Sequence, residues 1–228
     1  MFWIDYWYIV LVLPALMVSA WAQFKVKSTF HKYAQVRVQC GMTGAETAQT
    51  VQRVNGLLMP VERIGGSLSD HFDPRTQVIR LSEPVYGHAS VAAVGVAAHE
   101  TGHALQYSEN YTPMRLRAAM VKPTQFASTL MPILIIVGIV TSMPALAMTG
   151  VALFGVVTLF QLVTLPVEFN ASRRAMQALQ ADGRLSEQEL AGVKKVLTAA
   201  ALTYVAALLV SVAQLLRLLL IVGGRRRD

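Results

Sequence analysis

Four long apolar stretches constrain the fold of this 228-residue chain more than any other feature. About 20 apolar residues are enough to cross the hydrocarbon core of a bilayer as a helix. The stretches cover residues 2–22, 125–142, 145–167 and 196–222. Hydrophobic residues make up 54% of the chain, charged residues only 14%, and the mean hydropathy is +0.46. Because soluble domains are less apolar and more charged, the sequence predicts an integral membrane protein with about four transmembrane helices.

The first stretch is either a cleaved signal peptide or a permanent anchor. Ala20-Trp21-Ala22 resembles a cleavage site, which favours a signal peptide. However, no Lys or Arg precedes the apolar core, whereas Lys25, Lys27 and Lys32 follow it. We therefore predict an uncleaved transmembrane anchor with its N-terminus outside the cell.

The second and third stretches are separated only by Met143-Pro144, which predicts a helical hairpin that returns the chain to the side it left. Sixteen Lys and Arg residues then lie on the side of residues 23–124 and 168–195, and the remaining four lie within or beyond the last stretch. The positive-inside rule places the first group in the cytoplasm. The terminal Arg225-Arg226-Arg227 disagrees, so either it lies outside or the last stretch does not cross fully. Arg217, inside that stretch, could extend to the interface.

The polar segment before the hairpin carries signals for helix and strand. Thr43 and Glu46 have capping-box spacing, and Asn55-Gly56 can end the helix that they begin. Residues 61–64 and 77–81 alternate in hydrophobicity, and a connector rich in turn residues separates them. We predict a β-hairpin, whose edge strand could pair with an extended peptide. The single cysteine, Cys40, excludes an internal disulfide, and we expect it to be buried.

An HExxH motif, His99-Glu100-Thr101-Gly102-His103, lies in an apolar run that predicts a buried helix over residues 91–105. Side chains four residues apart share a helix face, so both imidazoles can reach one metal ion beside Glu100. The alternative is a pair of core histidines bonded to the backbone or to Glu100. Two His and one Glu in one buried turn would be costly without partners, so we favour zinc. Gly102 also indicates a close packing contact, because glycine is unfavourable within a helix.

A catalytic zinc ion usually has three protein ligands and one open position. His31, His71 and His88 are candidates for the third ligand, but His88 is too far from His99 if the helix is continuous, and His71 lies in a flexible connector. Glu168 is better placed, because it directly follows the third span and the hairpin brings it back to the side of the motif. The alternative is that Glu168 pairs with Arg173 or Arg174.

Several longer segments resemble the YugP-type membrane zinc metallopeptidases, within the broader gluzincin class that includes HtpX-like proteases. The resemblance covers most of the chain, and its segments are Trp21-Ala22-Gln23-Phe24-Lys25-Val26-Lys27-Ser28-Thr29-Phe30, Leu68-Ser69-Asp70-His71-Phe72-Asp73-Pro74, Leu81-Ser82-Glu83-Pro84-Val85-Tyr86 and residues 93–104. These segments are far more specific than HExxH alone.

The resemblance implies a zinc metalloendopeptidase in which His99, His103 and Glu168 bind Zn²⁺ and Glu100 is the catalytic residue. HtpX-like enzymes commonly have an acidic residue four positions after the Glu ligand, but here that position is Ser172. A carboxylate supporting a metal ligand is therefore not carried over. An oxyanion-stabilising group is also expected, and the candidates are His71, Tyr111, Asn170 and Arg173.

The predicted fold is mostly α, with about four transmembrane helices and a small α+β zincin-like domain that carries the HExxH helix and the β-hairpin. Its predicted parts are an anchor (1–23), a cytoplasmic metallopeptidase domain (24–124), a transmembrane hairpin (125–167), a helical segment with the third ligand (168–195), a C-terminal transmembrane helix (196–222) and a basic tail (223–228).

The expected partners are a protein or peptide substrate and the lipid bilayer. The net charge of +7 lacks the basic face with interleaved aromatic residues that nucleic-acid binding requires, so we predict no nucleic-acid partner. The small residues of the spans are compatible with a homo-oligomer or a membrane partner. A non-catalytic membrane scaffold and a quality-control binding protein with structural zinc are the alternative functions.

Overall fold

The computed structural model describes residues 5–224, so the first four residues of the predicted anchor and the arginines of the predicted basic tail lie outside the described residues. A π-helical turn, Tyr8–Val12, leads into the first α-helix. The other elements are α1 (Leu13–Ala34), α2 (Gly44–Val54), β1 (Val61–Ile64), β2 (His71–Asp73), β3 (Val78–Ser82), α3 (Glu83–Tyr86), α4 (Val91–Ser108), α5 (Thr112–Val140), α6 (Pro144–Asp182) and α7 (Glu187–Gly224).

The described chain is mostly helical with one small sheet, which confirms the predicted fold class. Among residues 5–224, four helices are long and apolar enough to cross a membrane. They are Tyr8–Ala34, Thr112–Val140, Pro144–Asp182 and Glu187–Gly223. The chain divides into two compact units, which we describe separately. The apolar unit comprises residues 1–23, 115–165 and 203–228, and the mixed unit comprises residues 24–114 and 166–202.

In the apolar unit, α5 and α6 form the predicted hairpin, joined by a short turn in which Ser142 has a φ of 55°. The two helices approach closely through glycine. A Cβ on Gly138 would lie 2.4 Å from the backbone nitrogen of Ala147, and one on Gly150 would lie 2.9 Å from the carbonyl oxygen of Met131. Small residues permit such close contacts between helices in lipid, where packing replaces the hydrophobic effect as the source of stability.

Arg217 is buried and forms an ion pair with Asp5 inside the apolar unit, and its extension to the membrane interface stays a prediction. Its Nε lies 2.9 Å from Oδ2 of Asp5, and its guanidinium carbon lies 5.1 Å from the ring centroid of Tyr8. The ion pair is formed across 212 positions of sequence, which is why the sequence did not indicate it. An ionised side chain inside an apolar helix cluster requires such a partner.

The Arg217→Met variant is expected to lower the free energy of unfolding by about 3 kcal/mol, because it leaves the Asp5 carboxylate without its ion-pair partner. The double variant Asp5→Asn with Arg217→Met should recover part of this loss, since it leaves no unpaired charge. Unfolding of the detergent-solubilised protein by increasing denaturant measures both. Equal losses in the single and double variants would show that the ion pair itself is not the cause.

The mixed unit is built around α4. Two opposite sides of this helix pack against other elements, and a helix that is buried in this way is apolar on most of its surface. One side faces α6 and α7, where Val94 and Ala98 contact Leu179 and Val193. The other side faces the sheet, where Ala93 joins Ile79 and Leu81 of β3 in a second apolar cluster. The long apolar run before HExxH is therefore a core helix and not a membrane span.

The predicted β-hairpin of residues 61–64 and 77–81 is wrong in its pairing. β1 and β3 run parallel, with Val61 opposite Ile79, and the sheet order is β1-β3-β2. The connector contains β2, which pairs antiparallel with β3 and so forms the hairpin with different strands. The turn between them is held by Asp73, whose carboxylate accepts hydrogen bonds from the backbone N–H of Arg75 and the hydroxyl of Thr76, both at 2.9 Å.

The predicted capping box of α2 is confirmed. The backbone N–H of Thr43 donates to Glu46 Oε2 at 2.8 Å, and the Thr43 hydroxyl accepts from the Glu46 N–H at 3.3 Å. Gly56, just after the end of α2, has a φ of +66°, which glycine adopts without strain. The expectation that Cys40 is buried is wrong, because the residue lies in the turn before α2 and is exposed.

Candidate metal centre

Two helices of the mixed unit bring the predicted ligands together. α4 carries His99 and His103 one turn apart, and Glu168 of α6 faces them. Glu168 is only 2% exposed and His103 is 8% exposed, so these groups are removed from bulk water. α6 remains one continuous helix through Pro166, which carries Glu168 into the mixed unit.

The donor atoms of His99, His103 and Glu168 all lie within 4.8 Å of one another. One carboxylate oxygen of Glu168 lies 3.3 Å from Nε2 of His99 and 3.6 Å from Nε2 of His103. Tetrahedral zinc with ligands at about 2.0–2.1 Å requires donor atoms roughly 3.3 Å apart. The three residues therefore fit a zinc ion, and among the described residues they form a group of three donors that would hold it.

The electrostatics of the site favour a positive charge between the ligands. Burial by itself lowers the pKa of His103, but the carboxylates of Glu168 and Glu100 outweigh burial and raise this pKa above its usual value. A proton and a metal cation compete for the same nitrogen, so a site that stabilises imidazolium is also suited to a cation. Glu168 faces both histidines, and Arg174, one of the two alternative partners considered from the sequence, pairs with Glu109.

Each candidate ligand imidazole has a second contact that sequence reasoning missed. Nδ1 of His99 lies 3.1 Å from Oγ of Ser172, and Nδ1 of His103 lies 3.0 Å from Oε1 of Gln106. Helical spacing could have indicated the Gln106 contact, because Gln106 follows His103 by three residues on α4, but the Ser172 contact joins two helices. Ser172 therefore occupies the position where a carboxylate was expected and contacts a predicted ligand.

Glu100 lies on α4 next to His99, and a hydrogen bond from β2 orients its carboxylate. Its Oε2 accepts a hydrogen bond from the backbone N–H of Phe72 at 3.1 Å. β2 is an edge strand of the sheet, and β3 is the strand that pairs with it. Phe72 also contacts the ring of Tyr107, with 5.6 Å between ring centroids. The carboxylate is therefore fixed by β2, a strand that lies in the segment predicted to be only a connector.

The other histidines lie away from the group of three donors and are exposed. His71 contacts the carbonyl oxygen of Ser69, His88 contacts that of Glu83, and His31 contacts Gln35. The candidates for stabilising an oxyanion remain predictions. Of these, Arg173 is exposed, Tyr111 packs against Arg174, and Oδ1 of Asn170 accepts hydrogen bonds from Gln106 and Arg174.

Gly102, inside the HExxH motif, lies at a close contact between α4 and α6, as its place in the helix predicted. A Cβ at this position would lie 2.6 Å from the carbonyl oxygen of Ala171 and 3.1 Å from its carbonyl carbon. Both are backbone atoms, so a side chain would have to push the helices apart. Because the histidines lie on α4 and Glu168 on α6, this contact sets the spacing of the donor atoms.

The Gly102→Ala variant is expected to lose about 1–3 kcal/mol of stability through overpacking. It should also bind zinc more weakly, since the helices that carry the donors must separate. Gly155→Ala is the control, because nothing lies within 4 Å of the added Cβ. That change should be neutral or stabilise the helix by up to about 1 kcal/mol. Thermal unfolding and zinc competition with a chromogenic chelator measure the effects; unchanged zinc affinity in Gly102→Ala would contradict the account.

Comparisons with known proteins agree with this site. A family described as "Putative neutral zinc metallopeptidase" matches residues 8–223. A curated relative, "Putative membrane protease YugP" of Bacillus subtilis (strain 168), is 50% identical over 220 residues, which cover 96% of this chain and 98% of the relative. No solved structure matches the chain significantly.

Proposed function

The chain belongs to the family of putative neutral zinc metallopeptidases, and from this membership we propose that it is a membrane-embedded endopeptidase acting on protein or peptide substrates. The resemblance predicted from the sequence is thereby confirmed. The proposal assigns zinc binding to His99, His103 and Glu168. It assigns the role of general base to Glu100.

The observation that carries the proposal is the spacing of the donor atoms on α4 and α6. The Nε2 atoms of His99 and His103 face one oxygen of Glu168 at 3.3 and 3.6 Å, close to the separation that a tetrahedral ion requires. Structural zinc sites usually have four protein ligands, often cysteines. Among the described residues this group supplies three donors without sulfur, which favours an enzyme over the scaffold or binding protein with structural zinc.

In the proposed hydrolysis, the zinc ion and the side chains of the protein have different roles. Bound zinc would make a water molecule more acidic and polarise the carbonyl group of the scissile peptide. Glu100 would accept the proton of the attacking water and transfer it to the leaving amine. The hydrogen bond from the Phe72 N–H keeps its carboxylate in place for both transfers. The Nδ1 contacts of the two histidines hold their rings so that Nε2 faces the metal position.

We also propose that the site acts at the cytoplasmic face of the membrane. The proposal rests on the distribution of Lys and Arg, of which sixteen flank the site segments and four lie within or beyond the last span. A cysteine-reactive probe that does not cross membranes tests this sidedness. Cys40 is exposed in the mixed unit and is the single cysteine of the chain, so it should be labelled only after the cells are opened.

Cleavage of an unfolded, fluorescently labelled protein by the full chain in detergent or lipid nanodiscs tests the activity. We expect cleavage by the zinc-loaded protein, loss of cleavage after a chelator removes the metal, and recovery when one equivalent of Zn²⁺ is returned. A protein that binds one zinc ion at this site but cuts no unfolded substrate would overturn the proposed function and favour the scaffold.

A further inference from the structure

A buried amide, Gln106, connects the predicted ligand His103 to the backbone of α6. Gln106 is fully buried, and its Oε1 lies 3.0 Å from Nδ1 of His103. Its Nε2 lies 2.8 Å from the carbonyl oxygen of Val167 and 2.9 Å from Oδ1 of Asn170. All of these residues belong to the mixed unit. The contacts therefore form one continuous hydrogen-bonded chain between α4 and α6.

The orientation of this amide follows from what its neighbours can do. A backbone carbonyl only accepts hydrogen bonds, so the atom of Gln106 that faces Val167 must be the amino group. The contact with Asn170 leads to the same orientation. A guanidinium only donates hydrogen bonds, so the Asn170 atom that lies 2.7 Å from Nε of Arg174 must be the accepting oxygen, Oδ1. The atom of Gln106 that faces this oxygen must then be the amino group. Two independent acceptors thus turn Oε1 of Gln106 towards His103.

The orientation of Gln106 in turn fixes the proton on His103. Oε1 only accepts, so Nδ1 of His103 must carry a hydrogen, and in the neutral imidazole that binds a metal the lone pair is then on Nε2. Nε2 is the atom that faces Glu168. We propose that Gln106 is a positioning residue that holds His103 in the ring orientation and tautomer needed to bind the metal. This inference rests on the proposed function for the identity of the ligand, and extends it to a residue outside the HExxH motif.

A merely structural role would also explain why Gln106 is buried, so the test must separate stability from metal binding. Gln106→Met keeps the length of the side chain and removes every polar atom. Gln106→Glu keeps an acceptor for His103 and changes the group that faces Val167 and Asn170. Both variants should be less stable than the wild-type protein without metal, because each disturbs the contacts to α6. Only Gln106→Met should impair metal binding.

The matched control is Gln52→Met, which removes another buried glutamine of the mixed unit. Oε1 of Gln52 accepts a hydrogen bond from the backbone N–H of Met59 at 2.6 Å, and Gln52 is not among the donors of the metal group. This variant should lose stability and keep the zinc affinity of the wild type. It therefore shows what the loss of a buried amide does when no ligand depends on it.

Zinc affinity is measured on the full-length detergent-solubilised protein by competition with a chromogenic chelator. The absorption spectrum of the Co²⁺-substituted protein reports the ligand geometry independently. We expect Gln106→Met to bind zinc roughly 10–100-fold more weakly and to change the cobalt spectrum. Gln106→Glu should recover most of the affinity and the wild-type spectrum, as a conservative rescue.

Equal losses of zinc affinity in Gln106→Met and Gln106→Glu, or no loss in either, would overturn the inference. Equal losses would mean that Gln106 acts through packing, and no loss would mean that His103 does not depend on it. These results are distinguishable from failure of the proposed function. A wild-type protein that binds zinc but does not cleave peptides contradicts the enzyme, whereas the affinity ratio of the two variants reports on Gln106 without any cleavage.

Discussion

The Glu100→Gln variant is expected to retain zinc and to lose peptide-bond cleavage. The amide has nearly the same shape as the carboxylate, but it cannot accept the proton of the attacking water. General acid–base groups contribute about 10²–10⁴-fold to rate, and Glu100 is proposed to act in both proton transfers, so kcat/KM should fall by at least about 10³-fold. Initial rates on an unfolded protein substrate and zinc content per chain, measured on the same preparation, test this expectation.

Glu187→Gln is the control for this substitution. Glu187 is an exposed residue of the first turn of α7 in the mixed unit, away from the donor group. This variant should keep both activity and zinc content. If Glu100→Gln cleaves as fast as the wild type, Glu100 is not the base and the proposed mechanism is wrong.

The Glu168→Gln variant is expected to lose zinc. Glu168 supplies the charged donor that faces the two imidazoles, and its oxygen is within 3.6 Å of both Nε2 atoms. Zinc binding is worth about 10–16 kcal/mol in zinc-finger peptides, so the loss of one charged ligand should weaken binding on the order of 10³-fold. Chelator competition measures the affinity, and cleavage should disappear unless zinc is supplied in large excess.

Glu189→Gln is the matched control, because it replaces another buried carboxylate of the mixed unit. Glu189 is 6% exposed and accepts hydrogen bonds from the backbone N–H groups of Gln39 and Ser186 at 2.6 and 2.7 Å. This variant should lose stability without losing zinc. Normal zinc affinity in Glu168→Gln, or an equal loss in Glu189→Gln, is incompatible with Glu168 as a specific ligand.

The parts of the fold that the sequence could predict are those with strong periodicity or a length constraint. The length of the apolar stretches predicted the α5–α6 hairpin, and that hairpin was the reason for choosing Glu168, 65 residues after His103, as a partner of the motif. The sequence also predicted the capping residues of α2, because a capping box depends on residues three positions apart.

The strand pairing of the sheet was mispredicted because β2, the strand that forms the hairpin with β3, is short. β2 has three residues, of which only Phe72 is buried, so it carries no alternating pattern that distinguishes a strand from a turn. Parallel pairing of β1 with β3 depends on the path of the chain between them, and the hydrophobicity of the strands does not encode that path. The strand that contacts Glu100 was therefore predicted as part of a connector.

The contacts around the donors were missed for a different reason. Whether Ser172 faces His99, and which groups of α6 the amide of Gln106 contacts, depends on how α4 crosses α6, and the two helices approach closely at Gly102. The ion pair of Asp5 with Arg217 is similar, because it requires the packing of two spans from opposite ends of the chain. Helical spacing shows which side chains lie on the same face of a helix, but it does not show which other helix packs against that face.

X-ray absorption at the zinc edge of the purified, zinc-loaded full-length protein is the most direct test of the metal centre. The account predicts two imidazole nitrogens and light oxygen donors at about 2.0–2.2 Å, with one imidazole lost in His103→Ala. A sulfur shell at about 2.3 Å would instead place Cys40 at the metal. That result, or an unchanged imidazole count in His103→Ala, would contradict the assignment of His99, His103 and Glu168 as the zinc ligands.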